Sequence, residues 1–196
     1  VINEYFTKDV SEKILSEYGP QDIVTANYVV ANIENLKSFF INVNHILKDG
    51  GDFIFETIAF DNIVKSSALE MINHEHYYYF TDFSVDYLCR SSGFTLKECI
   101  PVSTKGGSTR YICQKTHTNN DDIRKNIIKV NNVFEGQFSS FRESTLKQLD
   151  IIHQKILMYN DQGFDIYGFG ASAGTQIILY ASKLEDLIKV IFDDNL

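Results

Sequence analysis

The sequence predicts an α/β protein made of two pieces joined by a helical connector. Three patterns lead to that reading. Residues 22–58 run strand, helix, strand, and residues 164–192 repeat that order around a glycine-bearing turn. About forty residues of mostly helical pattern lie in the connector between them. Strand–helix–strand order is how a parallel sheet is connected, because a two-residue hairpin cannot join parallel neighbours.

Each element has its own reason. Asp9 to Tyr18 reads as a helix closed by Gly19-Pro20, since proline cannot continue a helix. Asp22 to Ala31 (DIVTANYVVA) is rich in β-branched side chains and predicts a buried strand. From Ile33 to Leu47, the residues Leu36, Phe39, Phe40, Val43, Ile46 and Leu47 recur at spacings of three and four. That is a helix laying one apolar stripe on a sheet. Asp49-Gly50-Gly51 breaks it, Asp52 to Ile58 is the next strand, and Phe60 to Glu70 reads as a helix. Thr81 or Asp82 caps a helix that runs through Cys89 to Ser92 and stops at Gly93. Phe94 to Val102 and Thr109 to Gln114, joined through Lys105-Gly106-Gly107-Ser108, predict an antiparallel hairpin at one sheet edge. Thr116 to Asp122 is a polar linker, after which Leu146, Leu149, Ile152, Ile156 and Tyr159 keep helical spacing. Strand FDIYGF (164–169), a helix from Thr175 through Ser182 and strand Ile188 to Phe192 form the second piece.

Composition narrows the function. A chain of 196 residues, 44% hydrophobic and 13% aromatic, has enough apolar material for a packed core. The net charge of −8, with no basic cluster, argues against nucleic acid or an anionic membrane as the main partner. A nucleotide-bearing small molecule remains compatible, because loops bind phosphate locally. No apolar run approaches the roughly 20 residues that span a bilayer, and the first residues lack the pattern of a signal peptide. Both ends read as cut: there is no initiator Met, and Phe192-Asp193-Asp194-Asn195-Leu196 follows an apolar run directly. Cys89, Cys99 and Cys113 lack metal-ligand spacing and fit reduced thiols in a cytoplasmic protein.

Residues 73–80, Asn-His-Glu-His-Tyr-Tyr-Tyr-Phe, concentrate chemistry. Imidazole moves protons well near neutral pH, a neighbouring carboxylate orients it, and phenols hold polyhydroxylated or anionic substrates. Other readings stay open: an aromatic core segment, a solvated edge, or a metal pair formed by His74 and His76. Gly168-Phe169-Gly170-Ala171-Ser172-Ala173-Gly174 lies between a predicted strand and helix, where backbone N–H groups can hold phosphate or simply make a tight turn. Gly106-Gly107-Ser108-Thr109-Arg110 joins flexible backbone, a hydroxyl and a guanidinium, which suits an anion grip or a hairpin turn. Ala26 and Asn27 lie in the first strand and Asn32 just past it. Ligands of open α/β sheets bind beyond the carboxyl ends of the strands, so Asn32, Glu56 and the His-Glu-His segment are expected on one rim.

In order along the chain, ANYVVANIENL (26–36), ILKDGGDFIFET (46–57), MINHEHYYYF (71–80), KGGSTRY (105–111), YGFGASAG (167–174) and FDDN (192–195) resemble the S-adenosylmethionine-dependent sugar C-methyltransferases of deoxysugar biosynthesis. The ordered set is far more specific than any member. The resemblance implies a partial Rossmann-like methyltransferase domain over 1–115, a helical connector over 116–163 and the start of a second Rossmann-like unit over 164–196. It implies S-adenosylmethionine as cofactor and a nucleotide-linked keto-deoxysugar as substrate. His76 would be the base that deprotonates the carbon beside a ketone, with Glu75 and Asn32 in support. Asn73, Tyr77, Tyr79, Gly106, Gly107, Ser108, Arg110, Gly168, Gly170, Ala171 and Ser172 would face the substrate, and Ala26 and Asn27 the cofactor.

The departures from the family pattern are specific. Asn32 stands where the family commonly has His, Asn73 where it has an aromatic, and the Lys-Gly after the C-terminal glycine turn is replaced around Ala173-Gly174. A glycine-rich first loop, the acidic residue that ends the second strand, and the family's cysteine-rich zinc region are all missing upstream of Asp22. The expectation is a C-terminal portion of a larger enzyme, binding cofactor poorly by itself, with zinc confined to a region outside this sequence. The competing expectation is a non-catalytic nucleotide-sugar-binding or assembly module that keeps the fold.

Overall fold

The computed structural model describes residues 1–116 and 123–194, with the backbone alone over 123–135. The expected linker at 116–122 and Asn195 of the FDDN motif lie almost wholly outside the described residues. Two compact units form, Val1–Asn62 with His76–Val130, and Ile63–Glu75 with Asn131–Leu196.

In the first unit, helix α1 (Lys8–Tyr18) is capped by Thr7, whose hydroxyl accepts from the Val10 N–H. Strand β1 (Gln21–Asn27) follows, then a 3-10 turn (Val30–Asn32) and helix α2 (Leu36–Ile46), capped by Asn35. Strand β2 (Leu47–Ile58) pairs parallel to β1. Helix α3 (Phe60–Ser66) carries the chain into the second unit. Helix α4 (Asp82–Ser91) opens on a reciprocal cap between Thr81 and Ser84. Strands β3 (Phe94–Val102) and β4 (Ser108–Lys115) form the expected antiparallel hairpin. The sheet order is β1-β2-β4-β3, with β4 antiparallel to both neighbours. Register places Asn27, Glu56, Arg110 and Ile100 in one row across all four strands.

Alternation along the strands separates the two faces of this sheet. Phe53, Phe55, Tyr111 and Cys113 point to one side and are fully buried. Phe40 of α2 and Val85 and Cys89 of α4 join them in a single cluster. Phe40 meets Phe53, Phe55 and Phe94 edge-on, with ring centroids 5.2, 5.6 and 6.1 Å away, the arrangement that the ring quadrupoles favour. On the opposite face Ile54 and Ile112 are only half-buried. Glu56 lies on that face too and is nevertheless 5% exposed.

Three elements differ from expectation. The first strand ends at Asn27 rather than Ala31, because Tyr28 turns left-handed (φ 53°) and its N–H donates to the Glu56 carbonyl. Nor is it a buried strand: it forms a sheet edge, and Asp22, Ile23, Thr25 and Asn27 are exposed. The second strand begins earlier and absorbs Asp49-Gly50-Gly51, with a register jump between Gln21 and Ile23 and Gly50 at φ 76°. The helix from Phe60 stops at Ser66, since Ser67 is left-handed (φ 55°), and a 3-10 turn (Leu69–Met71) replaces its end.

The second unit contains the long helix α5 (Ile123–Asp161) from Asn131 onward, the parallel pair β5 (Ile166–Phe169) and β6 (Ile188–Phe192), and helix α6 (Ala173–Ala181) between them. Gly163, left-handed at φ 85°, follows the end of α5. The ring Nδ1 of His153 on α5 lies 2.8 Å from the Ser182 carbonyl after α6. Gly174 is required by close approach: a Cβ there would meet the Glu70 carbonyl oxygen at 2.8 Å. The 63–75 segment is thereby seated on α6 within this unit.

Phe40 supplies the test of this core. Phe40→Ala removes the ring on which four aromatic neighbours close, and large-to-small core changes of this kind cost about 3–5 kcal/mol. Urea denaturation is expected to show a lower midpoint with an unchanged slope.

Candidate functional site

The carboxyl ends of β1 and β2 and the start of β4 meet at one rim of the sheet. Glu56 organises it. The Tyr28 hydroxyl donates to Glu56 Oε1 at 2.6 Å, and the Thr104 hydroxyl donates to the same oxygen at 2.8 Å. Arg110 Nη2 and Nε donate to Oε2 at 3.0 and 3.2 Å. These bonds, led by those from Tyr28 and Thr104, hold the carboxyl below its ordinary range; burial opposes them and Arg110 adds to them. Ser108 is fully buried, lies 3.2 Å from the Tyr28 hydroxyl and donates to the Thr104 carbonyl at 3.1 Å.

The loop above this network is strained. Lys105 adopts φ 49°, ψ 46°, and Gly106 and Gly107 also have positive φ, at 77° and 113°. A Cβ on Gly107 would meet the Asn62 side chain, Nδ2 at 2.6 Å, and the φ of 113° itself favours glycine there. The Lys105 ammonium sits 4.1 Å from the centre of the Tyr28 ring, within range of a cation–π attraction.

The His-Glu-His segment is a loop, with its turn at His74-Glu75. In the second unit, Asn73 Oδ1 accepts from the Glu75 N–H at 3.1 Å, which fixes the turn. In the first unit, the Tyr77 and Tyr78 N–H groups both donate to the Ala31 carbonyl, at 2.9 and 3.3 Å. Tyr78 also donates its hydroxyl to the Glu34 carbonyl. His76 is half-buried and meets the Tyr79 ring edge-on at 5.7 Å, and Tyr79 in turn packs on Phe60 at 6.0 Å.

Beside the β1 edge lies a cleft of about 920 Å³. Ala26, Asn27, Asn32 and Tyr77 line it together with apolar walls from Phe6, Val24 and Phe39. Four of the residues singled out in the sequence therefore share one cavity. Ser108 and Arg110 belong instead to the Glu56 network, and Gly106 and Gly107 to the loop over it. His76 and Tyr79 stand next to each other outside the lining of the cleft.

Gly168, Gly170, Ala171 and Ser172 form the β5–α6 turn of the second unit. Gly168 leaves room for Ile191, which a Cβ would meet at 3.0 Å, and Gly170 takes φ 92°. The Ala171 N–H donates to the Asp193 carboxylate, and Ser172 caps α6 by accepting from Thr175. The Ala171 N–H is thus already held by a carboxylate of the chain itself.

Thiol chemistry is held back in the first unit. Burial, then the nearby Asp82, pushes Cys99 up to about 11. Cys113 is raised by its bond to Cys89 and by burial, so these are protonated packing groups at neutral pH. Among the described residues, no group of three His, Cys, Asp or Glu is placed to hold a metal. Among them, too, no helix is long and apolar enough to cross a membrane.

Tyr28, Thr104 and Lys105 carry much of the rim and were not singled out in the sequence. Their signal was faint: one phenol inside an apolar run, and a Thr-Lys pair before two glycines.

No family model matches the chain. A stretch of 103 residues is 27% identical to the C-methyltransferase NovU of Streptomyces niveus, covering 53% of this chain and 24% of that protein. The chain thus spans about a quarter of the length of this curated relative. Among solved structures, an O-methyltransferase family protein from Burkholderia thailandensis aligns at TM-score 0.43 and 16% identity, over 59% of this chain and 35% of that one. The 1,6-didemethyltoxoflavin-N1-methyltransferase of the same organism aligns at TM-score 0.39 and 17% identity, over 48% and 44%. The α/β architecture is shown by the strand order and pairing of the chain itself.

Glu56 generates a pH prediction. Its folded pKa lies below its unfolded value, so its contribution to stability is complete above the unfolded carboxyl value. That contribution is lost as pH falls through the folded one. Glu56→Gln is expected to cost about 1–3 kcal/mol at pH 7. Denaturation midpoints of variant and wild type should converge as pH drops below about 4; a gap independent of pH contradicts this role.

Proposed function

We propose that this chain is part of an S-adenosylmethionine-dependent C-methyltransferase acting on a nucleotide-linked keto-deoxysugar. The 103-residue match to a C-methyltransferase carries the reading, and the ordered motifs from ANYVVANIENL to FDDN support its sugar specificity. On this reading residues 1–115 are the second half of the catalytic α/β domain, 116–163 the connector and 164–196 the start of a second Rossmann-like unit.

The cleft by β1 fits the cofactor in kind. Its size is that of a small-molecule pocket, its walls are apolar, and Asn27 and Asn32 bring polar groups to its rim. Ala26 and Asn27 would hold the cofactor there. When bound, S-adenosylmethionine supplies an electrophilic methyl group on sulfonium.

The residues of the chain do the rest. His76 takes the proton from the sugar carbon beside the ketone, and the electron pair moves onto the carbonyl oxygen as an enolate. Asn32 donates a hydrogen bond to that oxygen, where charge develops. Glu75 orients the base or the sugar. Tyr79, edge-on to His76, limits how the imidazole can turn. In the first unit, Tyr77 and the Gly106-Gly107 loop contact the nucleotide-sugar.

Mass spectrometry of a nucleotide-linked keto-deoxysugar incubated with cofactor and the complete enzyme tests this reading. A methyl gain is expected, with kcat about 10²–10⁴-fold lower in His76→Ala and unchanged affinity for S-adenosylhomocysteine. Sugar binding without methyl transfer would replace it with the non-catalytic module that Asn32 and Asn73 motivate.

A further inference from the structure

We propose that Lys105 is a docking point for a phosphoryl group of the nucleotide-linked substrate, and that Tyr28, Thr104, Glu56 and Arg110 hold it in place. The inference rests on the substrate class proposed above and names the group that would recognise its charged portion.

Strain is the first observation. Among the described residues only Tyr28, Ser67, Lys105 and Lys183 are non-glycine residues with positive φ. Two of these four face each other at the rim, where the Lys105 ammonium stands 4.1 Å from the Tyr28 ring. Left-handed backbone is costly for residues with a Cβ, and such strain persists only where the surroundings impose it. Here Glu56 imposes it at both points, through its bonds to the Tyr28 hydroxyl and to Thr104, the residue before Lys105.

Charge is the second. Arg110 is the obvious anion grip in the sequence, but Nε and Nη2 are both committed to Glu56. Its charge is spent against that carboxylate. Lys105 is exposed, with its ammonium over a neutral ring, so the cluster of Glu56, Arg110 and Lys105 is left with one positive charge. An ammonium kept over an aromatic face is pre-positioned for an anion yet loses little when one arrives. The loop also stands at the end of the sheet where α/β proteins bind ligands. In a chain of net charge −8, this cluster offers local attraction for phosphate.

Inorganic pyrophosphate, titrated by calorimetry into the full chain, is the probe. Wild type is expected to bind it, Lys105→Met to lose about tenfold or more in affinity, and Lys105→Arg to keep most of it. Since Lys105 is exposed, loss of fold does not explain a charge-specific loss rescued by arginine. Tyr28→Phe keeps the ring but drops the bond to Glu56, and an intermediate loss is expected. Absence of pyrophosphate binding, or equal binding in Lys105→Met, overturns the inference and leaves the methyl-transfer reading to the His76 assay. Lys105-dependent binding in a protein that transfers no methyl supports the anion site and removes the proposed substrate instead.

Discussion

The carboxylate of Glu56 is the constraint on which the rim depends. It lies on the half-covered face of the sheet and is buried there by polar partners instead of by a helix. A buried charge is tolerated only when its lone pairs are filled. Filling them recruits Tyr28 from the end of β1, Thr104 from the β3–β4 connection and Arg110 from the neighbouring strand. One side chain therefore sets where β1 ends, how the hairpin loop folds back and which cation is left over.

Behind the rim stands an aromatic layer that does not depend on it. Phe40, Phe53, Phe55 and Phe94 interlock on the covered face, and Tyr111 extends the layer, donating its hydroxyl to Asp82 at the start of α4. Helix α4 is held at that end by its Thr81–Ser84 cap as well. The Ala31 carbonyl, accepting from Tyr77 and Tyr78, ties the loop that carries His76 to the turn after β1. The cleft and the imidazole are thus both fixed relative to the first unit by short backbone links.

Periodicity made the regular elements legible. The stripe of α2, the Thr81 cap and the β3–β4 hairpin follow from residue spacing and turn chemistry, and the structure has them within a few residues of expectation. What the sequence hid was backbone reversal at residues that normally avoid it. Nothing local at Tyr28 or Ser67 announces positive φ, so residue spacing alone predicts a first strand and a third helix longer than the chain forms. In the site, Asn27, Asn32 and Tyr77 stood out as polar groups near strand ends and share one cleft. The engagement of Arg110 by Glu56 was hidden because it depends on cross-strand register between residues 54 positions apart. The motif resemblance contributed roles that spacing alone does not supply.

Hydrogen exchange read by mass spectrometry on Glu56→Gln tests the organising role of Glu56 most directly. The account predicts faster exchange, by about tenfold or more, in both the 28–32 and 104–108 segments, while α4 and the centre of β2 speed up only as far as the loss of global stability requires. Those two segments are far apart in sequence and share this carboxylate. Unchanged exchange in both, or faster exchange spread evenly through the first unit, would contradict it.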